Sequence, residues 1–310
     1  MFERVASVTD ESDRLAPTYL AGLDGSGPSV AALHWALHRA DWYRADLAVV
    51  HVDEGARQSD APSVAMLEGN LPGGSELIAA TGVAAESYPG VQVTTRFAVG
   101  NASDELARLS RDSDLLVIGT HKTGYLRGRT IGARGIYVAS HTDCSVAVIP
   151  DVSLVSRRGI VVGISPATGS PVALLAGARE AQRLNQPLIL VCASPPHGVL
   201  AGQSGALGEA TGKEVLSEAV GTATAMMPGL EVHSRLSSRP PAVALLDASR
   251  DASLLVLGAE NEHDPTHSMI GPVTHDVLMN INVPVLIARA PRVSPDEVFE
   301  TPPAAAFALQ

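Results

Sequence analysis

Two loops carry the residue types best suited to bind an anion. Residues 22–27 read Gly-Leu-Asp-Gly-Ser-Gly, and residues 119–134 hold four basic residues and no acidic one in a chain whose formal net charge is −11. Glycines let a backbone close on a ligand, and free N–H groups at a helix N-terminus favour phosphate. The pattern predicts a phosphate-binding region. Two alternatives stay open: a basic loop is typical of a solvated surface, and Asp24 is typical of a residue that closes a turn.

Other reactive residue types form weaker patterns. His263 and His267 have the spacing of a zinc-binding helix, but Pro265 would break that helix and the general-base glutamate is missing. Surface histidines are the alternative to a metal site that also includes His275. Tyr125 stands where a P-loop needs lysine, and no catalytic triad can be assembled. We therefore predict no metal and no catalytic residue.

Composition excludes several classes of protein. The net charge of −11 argues against nucleic acid and anionic lipid as partners, and 4 Phe, 2 Trp and 5 Tyr are too few for base-stacking platforms. Cys144 and Cys192 cannot form a disulfide framework and are expected to be buried, inert thiols. Without an apolar run of membrane-spanning length or a leader pattern, we expect a cytoplasmic protein with no membrane partner.

The chain contains an internal repeat. Residues 110–119, SRDSDLLVIG, return as residues 249–258, SRDASLLVLG, shifted by 139 and identical at seven of ten positions. A shift of 141 pairs Gly22 with Gly163. We predict a tandem duplication: an N-terminal extension (1–16), repeat 1 (17–151), repeat 2 (157–290) and a mobile C-terminal tail (291–310).

The two repeats differ in charge at the candidate site. Residues 258–273 contain three acidic residues and no Lys or Arg, which gives −3 where repeat 1 has +4. Ser165 replaces Asp24, and Pro272 replaces Ala133. An anion would be repelled, so we assign binding to repeat 1 alone.

Alternating apolar runs and helical patterns predict the fold. Five short runs rich in Val, Ile and Leu recur in each repeat, at residues 19–23, 47–52, 91–97, 115–118 and 146–149, and at 160–164, 188–192, 230–236, 254–257 and 285–288. Continuous apolar strands are typical of parallel sheets with helices on both faces. The sequence predicts an α/β, doubly wound fold in each repeat, with Ser170 as a helix N-cap and irregular segments at 55–74 and 194–212.

The chain resembles the universal stress protein family in its tandem-domain, actinobacterial form. The matching residues are Leu-Asp-Gly-Ser at 23–26, Ala-Leu-His-Trp-Ala at 32–36, and Gly119 with Gly132 at the outer positions of the nucleotide-binding glycine motif. Lys122 replaces the middle glycine of that motif, and Ala133 replaces its hydroxyl residue. The resemblance implies two tandem Rossmann-like domains of the HUP (adenine nucleotide alpha hydrolase-like) class, each with a five-stranded, mainly parallel sheet.

The resemblance also implies roles for nine residues in binding ATP or a related adenine nucleotide. Asp24 would face the ribose, the backbone around Val52 would hold the adenine edge, and Gly22 and Ile118 would flank base and sugar. The residues expected around the phosphates are Gly119, Lys122, Gly132, Ala133 and Arg134.

Two function classes follow from the resemblance. The first is a non-enzymatic, nucleotide-responsive stress protein that acts on an unknown protein partner, with a weak ATP hydrolase as a variant. The second is a structural or interaction module that has lost nucleotide binding in both repeats. The family likeness further implies that the last strands of the two repeats pair antiparallel within the chain, as an intrachain pseudo-dimer, and leaves a further homodimer open.

Overall fold

The computed structural model describes residues 16–54, 74–121, 133–168, 170–194, 202–259 and 270–290. Each repeat contributes five strands to the described part of the chain. The strands are β1 (Thr18–Gly22), β2 (Asp46–Asp53), β3 (Val93–Val99), β4 (Leu115–Thr120), β5 (Ser145–Pro150), β6 (Ile160–Ile164), β7 (Leu188–Ala193), β8 (Val232–Ser237), β9 (Leu254–Gly258) and β10 (Val285–Ala288). The α/β fold predicted from the apolar runs is confirmed, although β3 and β8 begin two residues later than expected.

Eight α-helices connect these strands within the described residues. They are α1 (Gly27–Tyr43), α2 (Gly74–Ala85), α3 (Ala102–Leu109), α4 (Ala133–His141), α5 (Pro171–Leu184), α6 (Gly202–Met226), α7 (Pro241–Ala248) and α8 (Pro272–Met279). Helix α1 shows why they begin where they do. The Ser26 side chain accepts a hydrogen bond from the Ser29 N–H, and Pro28 occupies the first turn, where its missing N–H is not needed.

All ten strands form one sheet, in the order β3-β2-β1-β4-β5-β10-β9-β6-β7-β8. Pairing is parallel within each repeat, and antiparallel only where β5 meets β10. Ala147 pairs with Leu286, its equivalent in repeat 2, so a local two-fold axis passes through this pair. The predicted intrachain pairing of the last strands is therefore confirmed, and it covers an edge strand of each repeat.

Helices cover both faces of the sheet with apolar side chains. On one face, Leu37 of α1, Ala178 of α5 and Ala223 of α6 are fully buried in a single core. On the other face, α4, α7 and α8 bury residues such as Val138 and Val277 in a second core. Both cores run through both repeats, which explains why the strands are apolar on each side.

One local prediction is wrong. Helix α6 begins at Gly202, although its four glycines between residues 202 and 212 gave the segment an irregular appearance. Tertiary packing overrides the low helix propensity, because a Cβ at Gly212 would lie 2.8 Å from Leu236 and α6 buries Leu216 against the sheet. Ser170 is the N-cap residue of α5, as predicted, but its backbone is left-handed with φ of 50° and its side chain makes no capping hydrogen bond.

A buried ionic cluster joins the two repeats between α1 and α5. Arg39 of repeat 1 forms an ion pair with Glu180 of repeat 2, which is fully buried. The Tyr43 hydroxyl donates to Glu180 Oε1 over 2.9 Å, and Arg183 Nε donates to Oε2 over 2.9 Å. Arg183 also lies 3.0 Å from His38 Nδ1. Glu180 thereby gains a partner for each carboxylate oxygen, which a buried charge requires.

Candidate functional site

The loops singled out from the sequence enclose a cavity of about 600 Å³, here named the repeat-1 pocket. It lies at the carboxyl ends of β1, β2 and β4, where parallel α/β sheets place their ligands. Helices α3 and α4 contribute residues of their first turns to its wall. The cavity falls within the size range of small-molecule and cofactor sites.

Asp24 sits at the turn between β1 and α1, on the wall of the pocket. Its Oδ1 accepts a hydrogen bond from the Ser26 N–H over 2.9 Å, and its own N–H donates to Ser29 Oγ over 3.3 Å. Partial burial acts to raise the pKa of Asp24, but hydrogen bonds from Ser26 and Ser29 and the nearby His121 outweigh it and lower that pKa. Asp24 is therefore an anion at neutral pH. Asp24 closes the turn, as the alternative interpretation of this residue predicted, and it also faces the cavity.

Gly119 lies at the end of β4 and is required by packing. A Cβ at this position would lie 2.4 Å from the carbonyl carbon and oxygen of Pro28 and 2.6 Å from the Ser29 nitrogen. The strand end therefore touches the first turn of α1, and only glycine permits that approach. Gly22 is less constrained, because its nearest contact would be the flexible Leu106 side chain at 3.2 Å.

An ion pair links the residue that follows β2 to helix α4. Arg134 donates to Glu54 Oε2 over 2.9 Å, and Glu54 Oε1 accepts from the Ala102 N–H at the start of α3 over 3.2 Å. Both side chains are solvent-exposed, at 72% for Arg134 and 40% for Glu54. Such an exposed pair is weak and can be replaced by a competing anion.

Between these polar groups the pocket is apolar. Val52 of β2, Ile118 of β4 and Leu106 of α3 line it together with Val50 and Val138. Side chains of this type offer a slot in which a flat ring system can be held by dispersion and by loss of hydrated surface.

The structure brings six of the nine predicted site residues together in this one pocket: Gly22, Asp24, Val52, Ile118, Gly119 and Arg134. Ala133 is the first residue of α4, and its side chain is outside the described part of the chain. Lys122 and Gly132 lie outside the described residues, as do Arg127 and Arg129 of the basic loop. The nucleotide-contact roles of all nine stay predictions.

Sequence reasoning missed several pocket residues. Glu54 lies two residues after the second apolar run, at the end of β2, where parallel strands present ligand-facing side chains, and this signal was available. Ser29 and His121 also line the cavity. Ser29 could have been found by comparing the repeats, since Ser170 stands at the same place 141 residues later.

Other candidate groups are separate from this pocket. His275 lies 3.4 Å from Asp276, and among the described residues no group of three or more His, Cys, Asp or Glu is placed to hold a metal; His263 and His267 lie outside that part of the chain. Cys144 and Cys192 are buried, and burial raises the pKa of each thiol, as expected for inert cysteines. None of the helices in the described ranges has the length and apolar character needed to span a membrane.

Comparison with known proteins assigns the family. The profile described as "Universal stress protein family" matches the chain twice, at residues 18–150 and 156–289. The chain belongs to the universal stress protein family. The two matches correspond to the two halves of the ten-stranded sheet, so the tandem arrangement inferred from the internal repeat is a duplication of the universal stress protein domain.

Similar proteins share this two-domain organisation along most of their length. A universal stress protein of Mycolicibacterium smegmatis is 26% identical over 286 residues, which cover 87% of this chain and 96% of that protein. Universal stress protein Rv2623 of Mycobacterium tuberculosis is 23% identical over 290 residues, which cover 87% of this chain and 95% of that protein. The crystal structure of a universal stress protein from Archaeoglobus fulgidus superposes with a TM-score of 0.65 at 18% identity, covering 88% of this chain and 98% of that one. The last likeness, at this identity, is a likeness of fold alone.

Proposed function

We propose that the repeat-1 pocket binds ATP or a related adenine nucleotide, and that the protein acts as a non-enzymatic, nucleotide-responsive regulator in a stress response. The observation that carries the proposal is the order of chemical groups around one cavity. An apolar slot between Val52 and Ile118 suits a base, ionised Asp24 suits sugar hydroxyl donors, and Arg134 suits a phosphate. The family resemblance implies the same assignment.

Arg134 is the group through which phosphate binding would act on the protein. Arg134 pairs with Glu54, and Glu54 in turn accepts from the first N–H of α3. A phosphate that takes over Arg134 releases Glu54 and changes the contacts between the loop after β2 and helices α3 and α4. Tyr137 and Asp104, whose side chains are joined over 2.7 Å, connect those two helices to each other. Binding would thus alter the surface formed by the loop after β2 and helices α3 and α4, to which a protein partner can bind.

The test compares ATP, AMP and adenosine by titration calorimetry. Asp24→Ala should weaken all three ligands, whereas Ser165→Ala, at the equivalent position of repeat 2, should leave the affinities for ATP and AMP unchanged. Arg134→Met and Lys122→Ala should weaken ATP by about ten-fold or more and spare adenosine, because a hydrogen bond to a charged group contributes about 1.5–3 kcal/mol. Equal affinity of the wild type for all three ligands would contradict the phosphate role.

Two further measurements separate the function classes. Mass spectrometry of small molecules released by denaturing the purified protein should find adenine nucleotide near one per chain. Incubation with ATP should release ADP no faster than a buffer control. If no nucleotide is released and millimolar ATP fails to shift the melting temperature, the structural or interaction module is the better description.

A further inference from the structure

Repeat 2 keeps a cavity at the place equivalent to the repeat-1 pocket. This repeat-2 pocket has a volume of about 330 Å³ and lies at the carboxyl ends of β6, β7 and β9. Strand pairing shows the equivalence directly: Gly163 is paired with Val191 as Gly22 is paired with Val50. Duplication therefore preserved the architecture of a ligand site.

Repeat 2 also has a turn equivalent to the one that carries Asp24 in repeat 1, but with an uncharged residue at the equivalent position. The Ser165 N–H donates to Ser170 Oγ over 3.1 Å, as Asp24 donates to its serine in repeat 1. Ser165 Oγ accepts from the Ala167 N–H over 3.3 Å, as the Asp24 carboxylate accepts from the N–H two residues on. A hydroxyl has replaced a carboxylate while these two hydrogen bonds are kept; the serine N–H differs, since it donates to Ser26 Oγ in repeat 1 and to Thr168 Oγ1 in repeat 2.

The basic group on the opposite wall is likewise replaced. Val273 stands at the position of Arg134, at the shift of 139, and lines the repeat-2 pocket. The remaining wall is formed by apolar side chains such as Leu245 and Leu257 and by the hydroxyl residues Thr168 and Thr274. Among its described lining residues there is no charged side chain. A buried phosphate would find no countercharge there, and an unpaired buried charge is strongly disfavoured.

The pocket lacks the charges of repeat 1 but stays open, with about 330 Å³ against about 600 Å³ in repeat 1. Ala193 occupies the place of Val52, so this wall has become smaller, and Leu257 in place of Ile118 has the same number of carbon atoms. A site that had only decayed would be free to accept larger apolar side chains that close the cavity and stabilise the core. Retention of an open, apolar cavity rimmed with hydroxyl groups is typical of a site for an uncharged ligand.

We propose that the repeat-2 pocket binds a small uncharged molecule, consisting of a ring system with hydroxyl or amine substituents, and rejects phosphorylated ligands. This site is independent of the nucleotide proposed for repeat 1. The apolar wall holds the ring, and Ser165, Thr168 and Thr274 supply hydrogen-bonding groups for its substituents.

The test uses the full chain with the repeat-1 pocket blocked. Val52→Phe places a large ring in that pocket, and Ala193→Phe is the matched change in repeat 2. Adenosine and AMP are the main probes because they differ only by a phosphate, with indole and benzyl alcohol as smaller uncharged probes. Ligand-observed NMR of the Val52→Phe chain should detect binding of at least one uncharged probe. If adenosine binds, AMP should bind at least ten-fold more weakly than adenosine. Adding Ala193→Phe should abolish the signal.

A second variant keeps the test informative if Ala193→Phe disturbs folding. Val273→Arg restores the charge found in repeat 1 and should raise the affinity for AMP relative to adenosine by about ten-fold in the Val52→Phe background. The proposal is overturned if the Val52→Phe chain binds AMP as tightly as adenosine and loses both with Ala193→Phe. It is also overturned if none of the three uncharged probes binds at millimolar concentration.

Discussion

Arg39 and Glu180 stand at equivalent positions of the two repeats and form an ion pair with each other across the repeat junction. They are 141 residues apart, the same shift that relates Gly22 to Gly163. Side chains at equivalent positions meet near a two-fold axis, so two identical copies would bring like charges together here. Duplication in a single chain allowed one copy to keep a cation and the other an anion.

Loss of the Glu180 charge should destabilise the fold strongly. Glu180→Gln leaves Arg39 and Arg183 buried beside each other without a countercharge, and breaking a buried pair in this way costs about 3–5 kcal/mol. Urea denaturation should show this as a lower free energy of unfolding. Glu105→Gln removes an exposed ion pair to Arg108 and should cost less than about 1 kcal/mol. A similar loss in both variants would contradict the importance of the junction.

Glycine should be required at the end of β4 but not at the equivalent end of β9. Gly119→Ala forces the Pro28 backbone to move and should destabilise the protein by about 1–3 kcal/mol or more. Gly258→Ala places its Cβ 3.8 Å from Ala173, an ordinary contact, and should change stability little. Thermal unfolding of the two variants checks this. Equal changes in melting temperature would show that the contact with α1 is not what requires glycine at position 119.

His38 should make stability depend on pH. Partial burial, then the Arg183 charge, lower the pKa of His38 below its ordinary value of 6.5, while Asp41 opposes them; the Tyr88 ring packs against the imidazole. Because the unfolded chain takes up a proton first as pH falls below about 6.5, the free energy of unfolding should decrease from pH 7.5 to 5.5. His38→Gln should reduce this decrease in urea titrations, and His34→Gln, one turn earlier on the same side of α1, should retain it. An unchanged pH dependence in His38→Gln would refute the assignment.

Removal of the Glu54 charge should favour phosphorylated ligands. Glu54→Gln frees Arg134 from an exposed ion pair that contributes about 0.2–1 kcal/mol, so the affinity for AMP should rise by up to about five-fold while that for adenosine stays the same. Glu231→Gln, an exposed charge in repeat 2, serves as the control in calorimetry. Weaker AMP binding in Glu54→Gln would mean that the ligand uses Glu54 itself.

The sequence predicts the strands and the duplication well because both leave local marks. Continuous Val, Ile and Leu runs identify buried parallel strands, and a repeated decapeptide identifies the second copy. The pairs Glu54–Arg134 and Arg39–Glu180 leave no such mark, since their partners are 80 and 141 residues apart and meet only in the folded chain. Helix α6 was misjudged for a related reason: Gly212 packs closely against Leu236 of β8, and local propensity does not reveal that contact.

The antiparallel contact between β5 and β10 is closed within one polypeptide by a connection that runs only from Pro150 to Ile160. A sheet assembled from two separate chains dissociates on dilution, because its stability depends on protomer concentration. Here the second half is always present at the high effective concentration set by a short tether. The ten-stranded sheet, and the ratio of one charged pocket to one uncharged pocket, therefore stay the same at any protein concentration.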